Sequence, residues 1–139
     1  MENKIAHLKM IESIIERMAK NSFQLKGWAM TLVTLVGALS AKDTDKRFII
    51  LAFIPIIVFW LLDSFYLQQE RKFRALYRET AEKDEKDTNF NLNTHLVKYS
   101  NDEANRVCFG SCMFSFCELL FYGALTGTLI VLIIILKVF

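Results

Sequence analysis

Apolar residues in this chain are concentrated in long blocks, and charged segments separate the blocks. The blocks over 23–41, 48–68 and 119–138 each approach the roughly 20 residues that a helix needs to cross a ~30 Å hydrocarbon layer. The pattern therefore predicts an all-α membrane protein with about three transmembrane helices.

The segment 1–22 has a different pattern, because its apolar residues recur at helical spacing among charged ones. The apolar stripe consists of Leu8, Ile11, Ile15 and Met18. The segment has no continuous apolar run followed by a cleavage site, so we expect it to be retained. An amphipathic helix of this kind either lies at the membrane surface or packs against neighbouring subunits.

The segment 23–68 is predicted to form a transmembrane hairpin around the short turn KDTDK. Small and hydroxyl residues in its first span favour close helix packing, whereas its second span is strongly apolar and aromatic. Pro55 is expected to kink the second span. Strong helix formers continue beyond Gln68, so we expect the second span to extend into a charged helix. The segment 69–105 would thus be a cytoplasmic helix and loop, with Ser100 or Asp102 capping the next helix.

The segment 106–139 contains only two charged residues after Arg106, Glu118 and Lys137. Because turn-forming residues are scarce, we predict one long third helix of about 50 Å, whose C-terminal part spans the membrane. A break near Gly110 or Gly123 is the alternative.

Composition and charge support membrane insertion and give an orientation. Hydrophobic residues make up 53% of the sequence and aromatic residues 13%, which is unfavourable for a soluble protein of this size. Lys and Arg are most numerous in 1–26 and 69–106, so the positive-inside rule predicts a cytoplasmic N-terminus. The mixed charges and the formal net charge of +2 give no indication of nucleic-acid binding.

Three charged residues lie where lipid penalises a charge: Lys26 and Asp63 fall within apolar blocks, and Glu118 directly precedes the last block. We favour a structural ion pair between Lys26 and Asp63 that holds the hairpin together, with a charged cavity mouth as the alternative. Glu118 has no obvious partner in the hairpin, so it could equally face water.

The last helix also carries a polar stripe that would line a pore in a ring of subunits or bind neighbouring helices. Its members are Cys108, Ser111, Ser115, Glu118, Tyr122 and Thr126. Beside the stripe, Gly123 and Gly127 form a motif typical of close helix packing. The aromatic residues expected at the membrane interface are Trp28, Trp60 and Tyr66.

No arrangement of residues indicates catalysis. No nucleophile lies beside a base, and there is no glycine-rich phosphate loop. The three cysteines lie too close together on one helix, without a nearby His, to suggest a metal site. We therefore expect no enzymatic activity, no cofactor and no metal.

Three short motifs stand out in the first part of the chain: KGW, AKD at the turn, and FWLLDSFYLQQERKFRALY after it. With these motifs, about residues 1–87 resemble the RipA-family octameric membrane proteins, a group of small bacterial integral membrane proteins. It implies a homo-octamer in the bacterial inner membrane. It also marks as site residues Lys26, Trp28, Trp60, Asp63, Gln69, Glu70, Arg71 and Phe73.

Two functions are compatible with these features. In the first, a homo-oligomeric ring forms or gates a pore. In the second, the spans anchor and oligomerise a scaffold, and the cytoplasmic helices recruit a soluble protein partner. In both cases, membrane lipids and other copies of the chain are the expected partners.

Overall fold

The computed structural model describes residues 2–40, 46–83 and 91–135, and for residues 46–48 it describes the backbone alone. Within these ranges all regular structure is helical. The α-helices are α1 (Glu2–Ser40), α2 (Phe53–Glu82), α3 (Asn101–Val107), α4 (Phe109–Met113) and α5 (Phe116–Ile135); two 3-10 helices cover Lys46–Ala52 and Thr94–Leu96.

The chain divides into two compact units. The first unit comprises Met1–Ser22 and Phe65–Cys112, and the second comprises Phe23–Ser64 and Met113–Phe139. Both long helices, α1 and α2, contribute residues to each unit.

The core of the first unit forms where the amphipathic stripe of α1 meets the charged part of α2. Ile11 is fully buried against Ala75, Leu76 and Val97. Neither the membrane surface nor a second subunit is therefore needed to bury Ile11, whereas Leu8, Ile15 and Met18 of the same stripe are half-buried. Lys4 Nζ donates to the carbonyls of Ala81 (2.8 Å) and Lys83 (2.7 Å), which caps the C-terminal end of α2.

The core of the second unit combines small and β-branched residues with one tyrosine and one leucine, from several helices. Its buried members are Ala29, Val33, Ile49, Ala52, Ile56, Tyr122 and Leu129. Ala29 and Val33 are one helical turn apart on α1, so they present a continuous narrow face to the other helices. This core positions the polar cluster described below.

The last third of the chain differs from the predicted single long helix. Backbone irregularities at Cys108 and at residues 114–115 divide it into α3, α4 and α5. The helix also begins earlier than predicted, because Ser100 forms a capping box with Glu103. Ser100 is thus confirmed as the capping residue. The final residues of the predicted span, up to Val138, lie partly outside the described ranges.

The position of Pro55 differs from the prediction, which placed it in the middle of a span as a kink. Pro55 is the third residue of α2, and α2 directly follows the 3-10 helix. In the first turn of a helix the missing N–H of proline has no intrahelical acceptor to lose, so the residue is tolerated there.

Two described helical segments are long and apolar enough to cross a membrane, namely Ile49–Glu82 and Phe116–Ile135. The predicted first span, the second half of α1, is not among them. Its Lys26 and its glycine, threonine and serine residues lower its hydropathy.

Candidate functional site

The second unit contains a buried ionic cluster, which we define as Lys26, Asp63, Glu118 and Tyr122. Lys26 Nζ contacts Asp63 Oδ2 in a short hydrogen-bonded ion pair and donates to Glu118 Oε1 at 2.8 Å. Asp63 is fully buried, Glu118 is 2% exposed, and the Lys26 side chain is 20% exposed. One ammonium group therefore connects carboxylates from two other helices.

A second layer of hydrogen bonds and rings holds this cluster in place. The Tyr122 hydroxyl donates to Asp63 Oδ2 at 3.1 Å, and its ring stacks on Trp60 with 6.2 Å between centroids. The indole N–H of Trp60 donates to the Met113 carbonyl at 3.1 Å. This carbonyl directly precedes the irregular residues 114–115, so the indole satisfies a backbone group there.

The local sequence explains why these side chains meet. Glu118 and Tyr122 are four residues apart on α5 and therefore lie on the same face. Glu118 also lies in the first turn of α5, where the helix dipole favours a negative charge. On α1, Lys26 precedes Ala29 by three residues, so the face that contributes to the core also carries the ammonium group.

The cluster holds α1, α2 and α5 together within the chain. Breaking a buried ion pair by removing one partner typically costs about 3–5 kcal/mol, because a buried charge is left uncompensated. The sequence predicted Lys26 and Asp63 as a pair, and the structure brings them together. It adds Glu118, whose partner could not be found from the sequence because it lies 92 positions away.

The predicted polar stripe is divided between the two units. Cys108 and Ser111 are exposed in the first unit. In the second unit Ser115 and Thr126 are half-buried, whereas Glu118 and Tyr122 are buried. The Thr126 hydroxyl donates to the Tyr122 carbonyl of its own helix at 2.8 Å. The stripe therefore does not form a continuous exposed polar surface.

The two motif glycines face open space. A Cβ placed on Gly123 or Gly127 would meet none of the described atoms within 4 Å. Packing against another helix at these positions is thus not provided by the described part of the chain itself.

The aromatic residues expected at the interface have unequal environments. Trp28 is 57% exposed, Trp60 is half-buried in the second unit, and Tyr66 is half-buried edge-on to Phe65 in the first unit.

Residues marked by the family resemblance also contribute to the first unit. Arg71 Nη1 donates to the Arg106 carbonyl at 2.6 Å, Glu70 pairs with Arg74 at 2.6 Å, and Phe73 packs against the core. Gln69 is half-buried. The hydrogen bond of Arg71 attaches α2 to the end of α3 and gives Arg71 a structural role, whereas the pair of Glu70 and Arg74 lies within α2.

The first unit also carries an open groove of about 570 Å³ that the sequence did not predict. It is lined by Glu12 and Ile15 of α1 and by Arg74, Tyr77 and Arg78 of α2. Both arginine side chains are 62% exposed, although Glu70 and Glu103 pair with them. The only hint in the sequence was the amphipathic character of the two segments.

Two titratable groups of the first unit are perturbed. Burial raises the pKa of the Cys112 thiol above its usual value. Burial and the nearby carboxylates of Glu103 and Glu79 raise the pKa of the Tyr99 hydroxyl.

All three cysteines are free thiols that form no disulfide, with Cys108 and Cys117 exposed and Cys112 buried. Across residues 2–40, 46–83 and 91–135, no three His, Cys, Asp or Glu side chains are grouped to hold a metal ion.

No family model, curated protein or solved structure matches this chain. The resemblance to the octameric membrane family therefore stays a prediction.

Proposed function

We propose that this protein is an integral membrane scaffold that crosses the bilayer with three helices, oligomerises through them, and recruits a soluble partner through its first unit. Two helical segments have the required length and apolarity, and only 28% and 17% of their most apolar windows are buried within the chain. Exposed apolar surface of this extent marks an interaction with lipid or protein.

The second half of α1 is proposed as the third span. It supplies Ala29 and Val33 to the same core as Ile56 and Leu129 of the two more apolar segments. Its one strongly charged residue, Lys26, is paired there with two carboxylates, which lowers the cost of placing it in lipid. We place the N-terminus in the cytoplasm of a bacterial cell, on the distribution of Lys and Arg and on the family resemblance.

The observation that favours a scaffold over a pore is the internal pairing of the buried charges. Pore-lining polar groups must face water. Glu118 and Tyr122, the central members of the polar stripe, are each only 2% exposed and bind partners of the same chain. In this arrangement the cluster stabilises helix packing.

The groove of the first unit is the proposed recruitment site. It combines exposed guanidinium groups, Arg74 and Arg78, with the apolar surfaces of Ile15 and Tyr77. A partner segment that places acidic side chains beside an apolar residue would complement it. Self-association is assigned to the face of Gly123 and Gly127, which is open to a helix of a second copy. The octameric number rests on the resemblance alone.

A photo-crosslinking amino acid in place of Tyr77 tests recruitment in cells. We expect one soluble protein of defined mass to be captured, and the additional substitution Arg78→Glu to abolish the adduct. The same crosslinker at exposed Glu82, outside the groove, is the matched control. Equal adducts at both positions, or none from correctly inserted protein, would contradict recruitment through the groove. A deletion of residues 1–20 would not test recruitment, because it also removes Ile11 from the core of the first unit.

A pore is the second candidate, since the ionic cluster holds two carboxylates against one ammonium group. Purified oligomer in liposomes should then pass ions, and Glu118→Ala should alter the flux. If wild-type oligomer of confirmed size leaves the liposomes sealed, the pore is excluded.

A further inference from the structure

The charges of the buried ionic cluster do not cancel when every group is ionised. Lys26 contributes one positive charge, and Asp63 and Glu118 contribute two negative ones. The partial positive charge at the N-terminus of α5 is equivalent to roughly half an elementary charge, so it offsets only part of the excess. A charge that is buried without compensation tends to be neutralised by a proton.

The carboxylate oxygens differ in their hydrogen-bond partners. Asp63 Oδ2 accepts from both Lys26 Nζ and the Tyr122 hydroxyl. Glu118 Oε1 accepts from Lys26 Nζ. Glu118 Oε2 is buried and has no hydrogen-bond partner among the described residues. A proton at Oε2 therefore displaces no existing donor, whereas a proton at Asp63 Oδ2 would compete with two.

We propose that Glu118 Oε2 is a proton-binding site. The carboxylate takes a proton from hydronium, an O–H bond forms at Oε2, and a water molecule is released. Lys26, Asp63 and the neutral Glu118 then sum to zero charge. The proton is assigned to Glu118 because Lys26 and Tyr122 both donate to Asp63 Oδ2, whereas Glu118 Oε2 accepts from no described group.

Proton binding at this position is coupled to helix packing. Both carboxylates contact the same Lys26 nitrogen, so they are close neighbours and repel each other when both are ionised. The groups that face Glu118 come from each adjoining helix: Lys26 from α1, Asp63 from α2 and Tyr122 from α5 itself. Loss of the proton therefore weakens the contact of α5 with α1 and α2, and the second unit becomes less stable as the pH rises.

Isotope-edited infrared spectroscopy of the full chain in nanodiscs tests this site. We expect a protonated-carboxyl band that persists above about pH 5, where an ordinary glutamate is already ionised. Labelling the glutamate side-chain carboxyl with carbon-13 should shift the band, and labelling aspartate should leave it in place. Because the labelled wild-type chain is sufficient, the test does not depend on whether a variant folds.

Three variants extend the test. Glu118→Gln should abolish the band, and Glu103→Gln, a substitution in the first unit, should leave it unchanged. Asp63→Asn should also abolish it, because Lys26 and an ionised Glu118 already sum to zero charge. If aspartate labelling shifts the band, the proton is on Asp63 and the proposal is overturned. The proposal also fails if folded wild type shows no such band, or if the band disappears on adding sodium, which would indicate a cation site.

Discussion

Replacing Lys26 by methionine tests the energetic role of the buried ionic cluster. Methionine keeps most of the apolar length of lysine and removes the charge, so the change in volume is a minor contribution. The substitution leaves fully buried Asp63 with a single donor from the cluster, Tyr122, and leaves Glu118 Oε1 without Lys26. The full chain carrying this change should be much less stable than wild type.

The expected loss is about 3 kcal/mol, the lower end of the range for breaking a buried pair, because Lys26 is itself 20% exposed. One factor of ten in an equilibrium constant corresponds to about 1.36 kcal/mol, so the unfolding constant should rise by about two powers of ten. The attraction of the ammonium group to the Phe121 ring, 6.0 Å away, contributes at most about 1 kcal/mol of this.

Equilibrium unfolding in mixed micelles, followed by Trp60 fluorescence in a Trp28→Phe background, measures this loss. Lys26→Arg should recover most of the stability, because it restores the charge. Lys20→Met removes an exposed lysine from the same helix and should change stability by no more than about 0.5 kcal/mol. If Lys26→Met stays within that same margin of wild type, the cluster does not hold the second unit together and the reasoning fails.

Three further predictions concern single side chains. Tyr122→Phe should keep the ring stacking and lower the free energy of unfolding by about 1.5 kcal/mol, the value of a hydrogen bond to a charged group, in the same assay. If stability is unchanged, the hydroxyl does not contribute to the ionic cluster. In single-cysteine variants, Cys112 should react with maleimide at least about tenfold more slowly than Cys108, because burial raises its thiol pKa and leaves less thiolate. For the same reason, the reaction rate of Cys112 should reach its plateau at a higher pH than that of Cys108. Equal rates would refute this. Gly127→Leu should leave the monomer folded and reduce the oligomer mass seen by light scattering, because nothing in the described chain touches that position; an unchanged oligomer would remove this face from the interface.

The sequence predicted the helical class well, because apolar blocks and helix formers are local signals. It indicated that α2 would continue beyond Gln68, and the helix does so up to Glu82. It offered a break near Gly110 or Gly123 as the alternative to one long helix, and the first break lies at Cys108, two residues before Gly110. It could not locate the second break at 114–115, since neither residue is the glycine or proline that usually marks a turn. Tertiary contacts stabilise the second break instead, through Trp60.

The candidate site was predicted in part for a related reason. Lys26 and Asp63 lie in consecutive predicted spans, so an antiparallel hairpin makes their contact a reasonable expectation. The contact of Glu118 depends on how α5 is rotated against the hairpin, and that rotation is set by Tyr122, Leu129 and the rest of the core. Small-residue spacing identified Gly123 and Gly127 but could not say whether their partner helix belongs to the same chain.

The hydrogen bond between Trp60 and Met113 has a consequence for sequence divergence. A buried carbonyl at a helix break is tolerated only where a donor satisfies it. Among the aromatic residues, tryptophan alone combines a large apolar ring with an indole N–H donor. A relative that keeps the break at 114–115 must therefore keep this donor or replace it. One whose helix runs unbroken through this region is free to carry phenylalanine at position 60. The tryptophan and the break should consequently be inherited together, and their joint presence offers a criterion for recognising distant members of this fold.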